Sequence, residues 1–389
     1  MKRYFGFLLA SCLLLPAIPA VAQVSHIFVS NSGDDTLSLL QCVVSEGKQA
    51  IRCEERERMD VGFNNAWPAN QYQGHPAWWW TGLSGEVVGL KAKASLQPLN
   101  SPQNVKFVDT YVIPGRPNSG SNFIGVSPHK LTAWNSAREV DQIQEIDVNP
   151  DSPTFGTILT SLTVPDLDPT TPATATRGAA RPCDATMTPD GRYFVEPDLG
   201  GESVTFVDTE AGVILWQVAS PPANPDEKVM PFMATTNGDI ALIENLEAPS
   251  GTYDVFDVSV LPNQPIHLKK IGPADGLGNS PQTSEFTPNG RYAYLIINGL
   301  ADDGTLPEEE RGRIDVLDVD RTSATFLEIV NRIELPTNCR PHAGDFTTDG
   351  GYFVLNCSGR DQVAVINNAS QTVVETVAVG PSPRGVIVR

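Results

Sequence analysis

Arg181-Pro182-Cys183-Asp184-Ala185-Thr186-Met187-Thr188-Pro189-Asp190-Gly191-Arg192-Tyr193-Phe194-Val195 decides the fold, because the chain writes the same phrase again. Ser280-Pro281 through Phe286-Thr287-Pro288-Asn289-Gly290-Arg291-Tyr292-Ala293-Tyr294 is a second copy. Arg340-Pro341-His342 through Phe346-Thr347-Thr348-Asp349-Gly350-Gly351-Tyr352-Phe353-Val354 is a third. Asn237-Gly238-Asp239-Ile240-Ala241-Leu242-Ile243 and Gly125-Val126-Ser127-Pro128-His129-Lys130-Leu131 are weaker copies. Each reads as strand, tight turn, strand. Asp-Gly and Asn-Gly supply the positive φ that two-residue hairpin turns need, and the apolar and aromatic run that follows reads as a buried strand.

A second module follows each hairpin. Ser203-Val204-Thr205-Phe206-Val207-Asp208, Tyr253-Asp254-Val255-Phe256-Asp257-Val258, Ile314-Asp315-Val316-Leu317-Asp318-Val319 and Gln362-Val363-Ala364-Val365-Ile366-Asn367 alternate polar and apolar residues, as half-buried strands do. A fourth strand closes each unit, as in 211–218 and 371–379. Four antiparallel strands per roughly 40–55 residues is the unit of a propeller blade. Gly385-Val386-Ile387-Val388-Arg389 reads as the first strand of a blade that then stops. His26–Asn31 and Thr36–Leu40 read as the second and third strands of a blade with no first. Pairing the two ends completes one blade and removes an open sheet edge. The expected fold is therefore an all-β propeller of four-stranded blades. Six blades are countable without residues 42–104 and seven if that stretch contributes one. There the motif fails, and an irregular blade or an insertion is expected within a single domain, 23–389.

Phe28-Val29-Ser30-Asn31-Ser32-Gly33-Asp34-Asp35-Thr36-Leu37-Ser38-Leu39, and the run from Asn368 to Val386, resemble the YVTN-repeat (YncE-like) family. The likeness covers 26–40 and 105–389. It implies a seven-bladed propeller of the bacterial periplasm or cell surface and says little of activity, because function varies across such folds. Related propellers include lactone-hydrolysing proteins, heavy chains of amine dehydrogenases and a copper-cluster reductase. The last holds its metal with many channel-facing histidines. This chain has five histidines, scattered at 26, 75, 129, 267 and 342, and no Cys-x-x-Cys-His, so neither cluster nor haem is expected.

The totals agree with export. Lys2 and Arg3 precede an uncharged, mostly apolar run from Phe5 to Ala20, and Ala20-Val21-Ala22 suits a signal peptidase, so residues 1–22 are expected to be a signal peptide. Leu9-Ala10-Ser11-Cys12 also fits a lipobox, which keeps a lipid anchor as an alternative. No other stretch is long and apolar enough to span a bilayer. Removing Lys2 and Arg3 takes the net charge from −19 to about −21, which excludes phosphate-tracking nucleic-acid binding and favours solubility. The expectation is a periplasmic or secreted monomer whose partner is a protein or a small molecule. Export permits disulfides. If Asp349-Gly350 is a hairpin tip, Cys339 and Cys357 fall nearly opposite each other. Cys42 with Cys53 closes a short loop, worth on the order of 3 kcal/mol in the chain-entropy model. That leaves Cys183 unpaired.

Equivalent positions in a propeller converge, because each first strand lines the central channel. By register Cys183, Gln282, His342 and Arg384 share one channel mouth, with Arg181 and Arg340 two positions earlier in their repeats. Thiol, amide, imidazole and guanidinium groups suit an anionic or metal-containing ligand; strand-start capping is the plainer reading of the same residues. Trp78-Trp79-Trp80 cannot all face one way in a strand, so an aromatic platform for a partner and packing on the propeller rim both stay open. Asp302-Asp303-Gly304 with Glu308-Glu309-Glu310 is an acidic loop that matches no calcium motif. No nucleophile elbow, phosphate loop or zinc-helix motif is present. A binding module acting at the channel mouth is the first expectation. A metal-dependent lactonase-like hydrolase, or the heavy-chain-like subunit of a periplasmic dehydrogenase, is the second. No catalytic, metal or cofactor residues are assigned from sequence.

Overall fold

Strands that alternate in period two and are interrupted by Asx-Gly turns can only pair with their sequence neighbours, and they do so throughout a computed structural model of the chain. The structure describes residues 23–34, 36–45, 50–60, most of 127–167, then 180–222, 228–246, 250–299 and 311–388. It describes the strands Ala66–Gln71, Trp78–Leu83, Leu90–Leu96, Val105–Val112 and Ser121–Val126 as backbone alone. Residues 1–22, where a signal peptide was expected, and the acidic loop 302–310 lie outside these residues, apart from Pro307. No helix among the described residues is long and apolar enough to cross a membrane.

The sheets are four-stranded and antiparallel, each made of consecutive strands. They span 121–163, 186–219, 231–271, 281–334 and 344–378. A further backbone ladder runs from Ala66–Gln71 to Val105–Val112, inside the stretch where the repeat motif fails. The remaining sheet joins both ends of the chain. Pro383–Val388 pairs with Gln23–Asn31, which pairs with Thr36–Val44 and then Ile51–Asp60. Its ladder matches Ile27 to Val388 and Val29 to Val386, so the two sequence fragments do complete one sheet.

Apolar cores lie between consecutive sheets. Ala241, Ile243 and Phe256 pack on Val195 and Phe206 of the preceding sheet, and Tyr294 and Val316 pack on Phe353 and Ile366 of the next. Middle strands are therefore covered on both faces: Tyr193–Asp198, Ser203–Asp208 and Tyr352–Cys357 are buried along their whole length. Outer strands have one face in water and show it, with Thr372–Ala378 alternating between exposed and covered positions.

The turns differ from the expected two-residue type. In three copies the closing pair is Thr to Tyr across four residues, with only the glycine at positive φ: Gly191 and Gly290 at 69° and Gly350 at 67°. Thr188 Oγ1 donates to Asp190 Oδ1 at 2.6 Å and accepts from Tyr193 N at 3.0 Å. Thr287 and Thr347 repeat this with Asn289 and Asp349. The threonine hydroxyl thus takes the place of a ladder bond and lengthens the loop.

Both disulfides are formed, Cys42–Cys53 across directly opposed strand positions and Cys339–Cys357 across the entry to a first strand. The hairpin register behind the second is as the Asp349-Gly350 turn requires, with Gly344 opposite Leu355 and Phe346 opposite Phe353. Cys183 is a buried thiol outside both disulfides.

Candidate functional site

Four first strands are entered through a kink. Arg181, Ser280, Arg340 and Ser382, each followed by proline, take φ of 51°, 57°, 49° and 49°. A non-glycine residue at positive φ costs on the order of 1 kcal/mol or more, so repetition at equivalent positions marks an imposed geometry. The kink turns the strands Pro281–Phe286, Gly344–Phe346 and Pro383–Val388 inward around a cavity of about 180 Å³. Its walls include Asp184, Thr186, Glu285, His342, Gly344 and Ile387. Ligand pockets of drug size run to roughly 300–1,000 Å³, so this one suits a molecule nearer a monosaccharide. Glycine at 344 is a packing requirement: a Cβ there would meet the Phe353 ring at 2.5 Å and Val354 O at 2.7 Å.

Two charge levels divide the cavity. Arg384, half-buried, stands in the field of His342, and Arg340, exposed, in the field of Arg384. Burial and then the charge of Arg340 lower Arg384's hold on its proton. His342 is 2% exposed. Burial, and then Arg384, push its imidazole down to about 3, so it is neutral at physiological pH. The backbone beneath it is fixed. Buried Asn356 accepts from His342 N at 2.7 Å and from Ala343 N at 3.2 Å through one oxygen, Oδ1. Cys357 is the next residue, and its disulfide to Cys339 ties down the loop that carries Arg340. Ser358 Oγ donates to Arg340 O at 2.6 Å in the same loop.

Three residues further along the strand, the level becomes acidic. Glu285 and Asp345 occupy the same repeat position on adjacent sheets, each just before the aromatic residue that precedes the turn. Phe286 and Phe346 are buried, and strand alternation turns their neighbours the other way. Burial, and then the negative charge of Asp345, raise Glu285 well above the usual carboxylate range. Asp345 is raised to about 6, by burial and against two backbone donors: Phe346 N at 2.7 Å and Val388 N at 2.8 Å. The charge of Asp345 thus favours the protonated form of Glu285.

Asp184 completes this level from the sheet of 186–219. It is 7% exposed, and burial raises it to about 8 against the pull of Arg138.

Of the residues picked out by register, the structure brings His342, Arg384 and Arg340 together electrostatically. Arg181 lies half-buried at its kink, where its N–H donates to Asp141 Oδ1 at 2.7 Å. Cys183 has no exposed surface, and its N–H donates to Pro197 O at 2.9 Å. In this repeat Asp184 faces the cavity, because it bridges in parallel to Met233 of the next sheet before the strand Thr186–Met187 begins. Gln282 bonds its own neighbour, Nε2 to Pro281 O at 3.0 Å, while its carbonyl accepts from Tyr253 Oη at 3.1 Å. Trp78, Trp79 and Trp80 open the strand Trp78–Leu83, and their side chains lie outside the described residues. Sequence reasoning missed Asp184, Glu285 and Asp345. A carboxylate standing where the other repeats have Thr186 or Ile387 was the available signal for the pair. Among the described residues no three His, Cys, Asp or Glu side chains gather as a metal site.

No protein-family model matches the chain, and no curated protein matches it by sequence. Solved structures do match in shape. A candidate 6-phosphogluconolactonase of Bacteroides fragilis superposes with a TM-score of 0.67 at 11% identity, over 96% of this chain and 99% of that one. The periplasmic gluconolactonase of Pseudomonas aeruginosa gives 0.64 at 14%, over 94% and 99%. The Swd1 β-propeller domain of Myceliophteria thermophila gives 0.53 at 12%, over 81% and 87%. At these identities the likeness is one of fold, and the fold is a β-propeller.

Proposed function

We propose that this chain is an exported propeller of seven YVTN-type blades that hydrolyses a sugar lactone in its central cavity. The observation that carries the reading is the carboxyl pair Glu285 and Asp345, held at equivalent positions on adjacent sheets, with Glu285 on the cavity wall and the charge of Asp345 favouring its protonated form. Two carboxyls with displaced affinities supply a base and an acid in one place. In the proposed reaction the ionised carboxylate takes a proton from water as its oxygen attacks the lactone carbonyl carbon. The ring C–O bond then breaks, and the leaving oxygen takes the proton carried by the other carboxyl. The product is the open hydroxy acid. Arg340 and Arg384 at the mouth would hold the anionic end of substrate or product, with neutral His342 as a hydrogen-bonding wall. Two gluconolactonase-type neighbours of the same fold support this choice of substrate class. The disulfides and the apolar leader 1–22 support export.

The test is the rate of glucono-1,5-lactone opening, followed by proton release, for the wild-type protein and for Glu285→Gln, with and without EDTA. A rate above the spontaneous one that survives EDTA and is lost in the variant is the expected result. No acceleration sinks the hydrolase. A rate abolished by EDTA replaces acid–base work by the pair with metal-assisted chemistry. The arginine and histidine cluster also favours a second reading, a binding module that grips an anion at the mouth without chemistry. Tight binding of the lactone or its acid with no turnover selects it.

A further inference from the structure

Among the cavity's polar groups, Asp184 is set apart by what it lacks. Its Oδ2 has no hydrogen-bond partner among the described residues, although the residue is more than nine-tenths buried and lines the cavity. Its backbone is rigid: the N–H donates to Phe232 O at 3.0 Å and the carbonyl accepts from Ala234 N at 2.8 Å, tying it to the next sheet. A buried oxygen left without a partner costs about 1–3 kcal/mol, which a protein recovers when a ligand supplies the missing atom.

The sign of that atom follows from the surroundings. Arg138 favours the charged form of Asp184. Against it stands burial, the larger cause. Glu196 and Glu244 are each raised well above the usual range by burial, and the charge of Asp184 adds to the rise in both. Both oxygens of Glu244 are likewise without partners among the described residues. Glu285 and neutral His342 share the cavity wall. Burial thus outweighs Arg138 and favours the protonated form of Asp184, and a protonated carboxyl with a vacant oxygen is a donor.

We infer that Asp184 donates a hydrogen bond to a carbonyl or carboxylate oxygen of the ligand. In the hydrolase reading, on which the ligand class rests, that oxygen is the lactone carbonyl, which gains negative charge during attack, and afterwards the new carboxylate of the product. A fixed neutral acid aimed at a developing oxyanion needs no rearrangement at the moment of reaction.

The experiment is calorimetric binding of gluconate between pH 6 and 9.5, which needs no turnover. Wild-type affinity should hold to about pH 8 and then fall about tenfold per pH unit as Asp184 loses its proton. Asp184→Asn, which keeps a donor and the shape, should bind within about threefold of wild type at pH 6.5 and lose the alkaline fall. Asp184→Ala should bind about 10- to 100-fold more weakly at pH 6.5, the range expected for a hydrogen bond to a charged group. Infrared spectroscopy supplies an independent readout: a protonated carboxyl absorption at pH 7, one component of which is lost in Asp184→Asn. An unchanged alkaline fall in Asp184→Asn, wild-type affinity in Asp184→Ala, an infrared absorption unchanged in Asp184→Asn, or no gluconate binding by the wild type overturns the inference. Binding with this pH dependence but without lactone turnover removes the hydrolase and leaves Asp184 its role. Turnover with an unaltered profile in Asp184→Asn does the reverse.

Discussion

The mouth of the cavity and the wall behind it differ in charge, yet they lie on the same strands only three residues apart, about 10 Å at the rise of an extended chain. The basic group is Arg340, Arg384 and His342, and the acidic group is Glu285, Asp345 and Asp184; of these, His342, Glu285 and Asp184 line the cavity. Burial moves every shifted group among them toward its neutral form: the acids rise, while His342 and Arg384 fall. The lesson is that the inner strands, unlike the middle strands clamped between sheets, are free to carry polar side chains because their inward side packs against nothing. The fold fixes where these side chains stand and leaves their chemistry to the sequence. A ligand entering such a site meets a cationic rim first and proton-donating acids after it.

The largest expected effect lies at the wall. Glu285→Gln and Asp345→Asn should each lower kcat for lactone opening by about 10²–10⁴-fold, the usual contribution of a positioned acid or base, with KM within a few-fold. A variant of either residue with wild-type kcat would dissolve the distinction between wall and mouth. Next comes the bridge that holds the mouth. Both disulfides close loops of similar length, with sequence separations of 11 and 18. Replacing either pair by serine should therefore cost a similar amount, on the order of 3 kcal/mol by denaturant unfolding. Only Cys339→Ser with Cys357→Ser should also raise KM, because that loop carries Arg340 and the strand entry to His342. Equal KM in the two double variants would show that the mouth needs no such support.

Charge at the mouth should matter less than proton transfer at the wall. Arg340→Ala with Arg384→Ala should raise KM about 10-fold and leave kcat within about twofold. The His342 imidazole should titrate higher by NMR once Arg384 is gone, since that charge helps to depress it. A fall in kcat alone would move the arginines from binding into chemistry.

The sequence made the sheets legible because their signals are local: Asx-Gly turns, period-two strands and two orphan fragments at the ends. It also pointed to neighbouring basic groups, since Arg384 acts on His342 and Arg340 acts on Arg384. The wall was not legible. Glu285 and Asp345 are separated by 60 positions, and only the sheet-to-sheet neighbourhood reveals that each lies in the field of the other. Asp184 was hidden by a shift of one residue, because the parallel bridge to Met233 turns Asp184 inward and leaves Cys183 behind. The ladder from Ala66 to Val112 was hidden for another reason: strand pairing needs alternation and length, and does not need the turn motif that identified the other sheets.

The smallest effect is the dependence of stability on pH, and it tests whether burial governs both levels of the cavity. Asp198 and Asp184 are raised to about 7 and about 8, chiefly by burial. Their contribution is full below the unfolded value near 3.8 and is lost as pH rises through those folded values. His342, lowered to about 3, contributes in the opposite sense: its share is full above 6.5 and is lost as pH falls toward 3. Asp257 and Asp318, lowered by hydrogen bonds that outweigh their burial, lose their share on the same acid side. The melting temperature should therefore decline on both sides of a maximum, by about 5 °C between pH 6.5 and 9. Asp184→Asn should flatten the alkaline side alone and His342→Gln the acid side alone, because each removes one buried titration and leaves the other level intact. A flat alkaline side in the wild-type protein would mean that the wall carboxyls ionise without cost, and the proton that the acid–base reading assigns to Glu285 would have no reason to stay there.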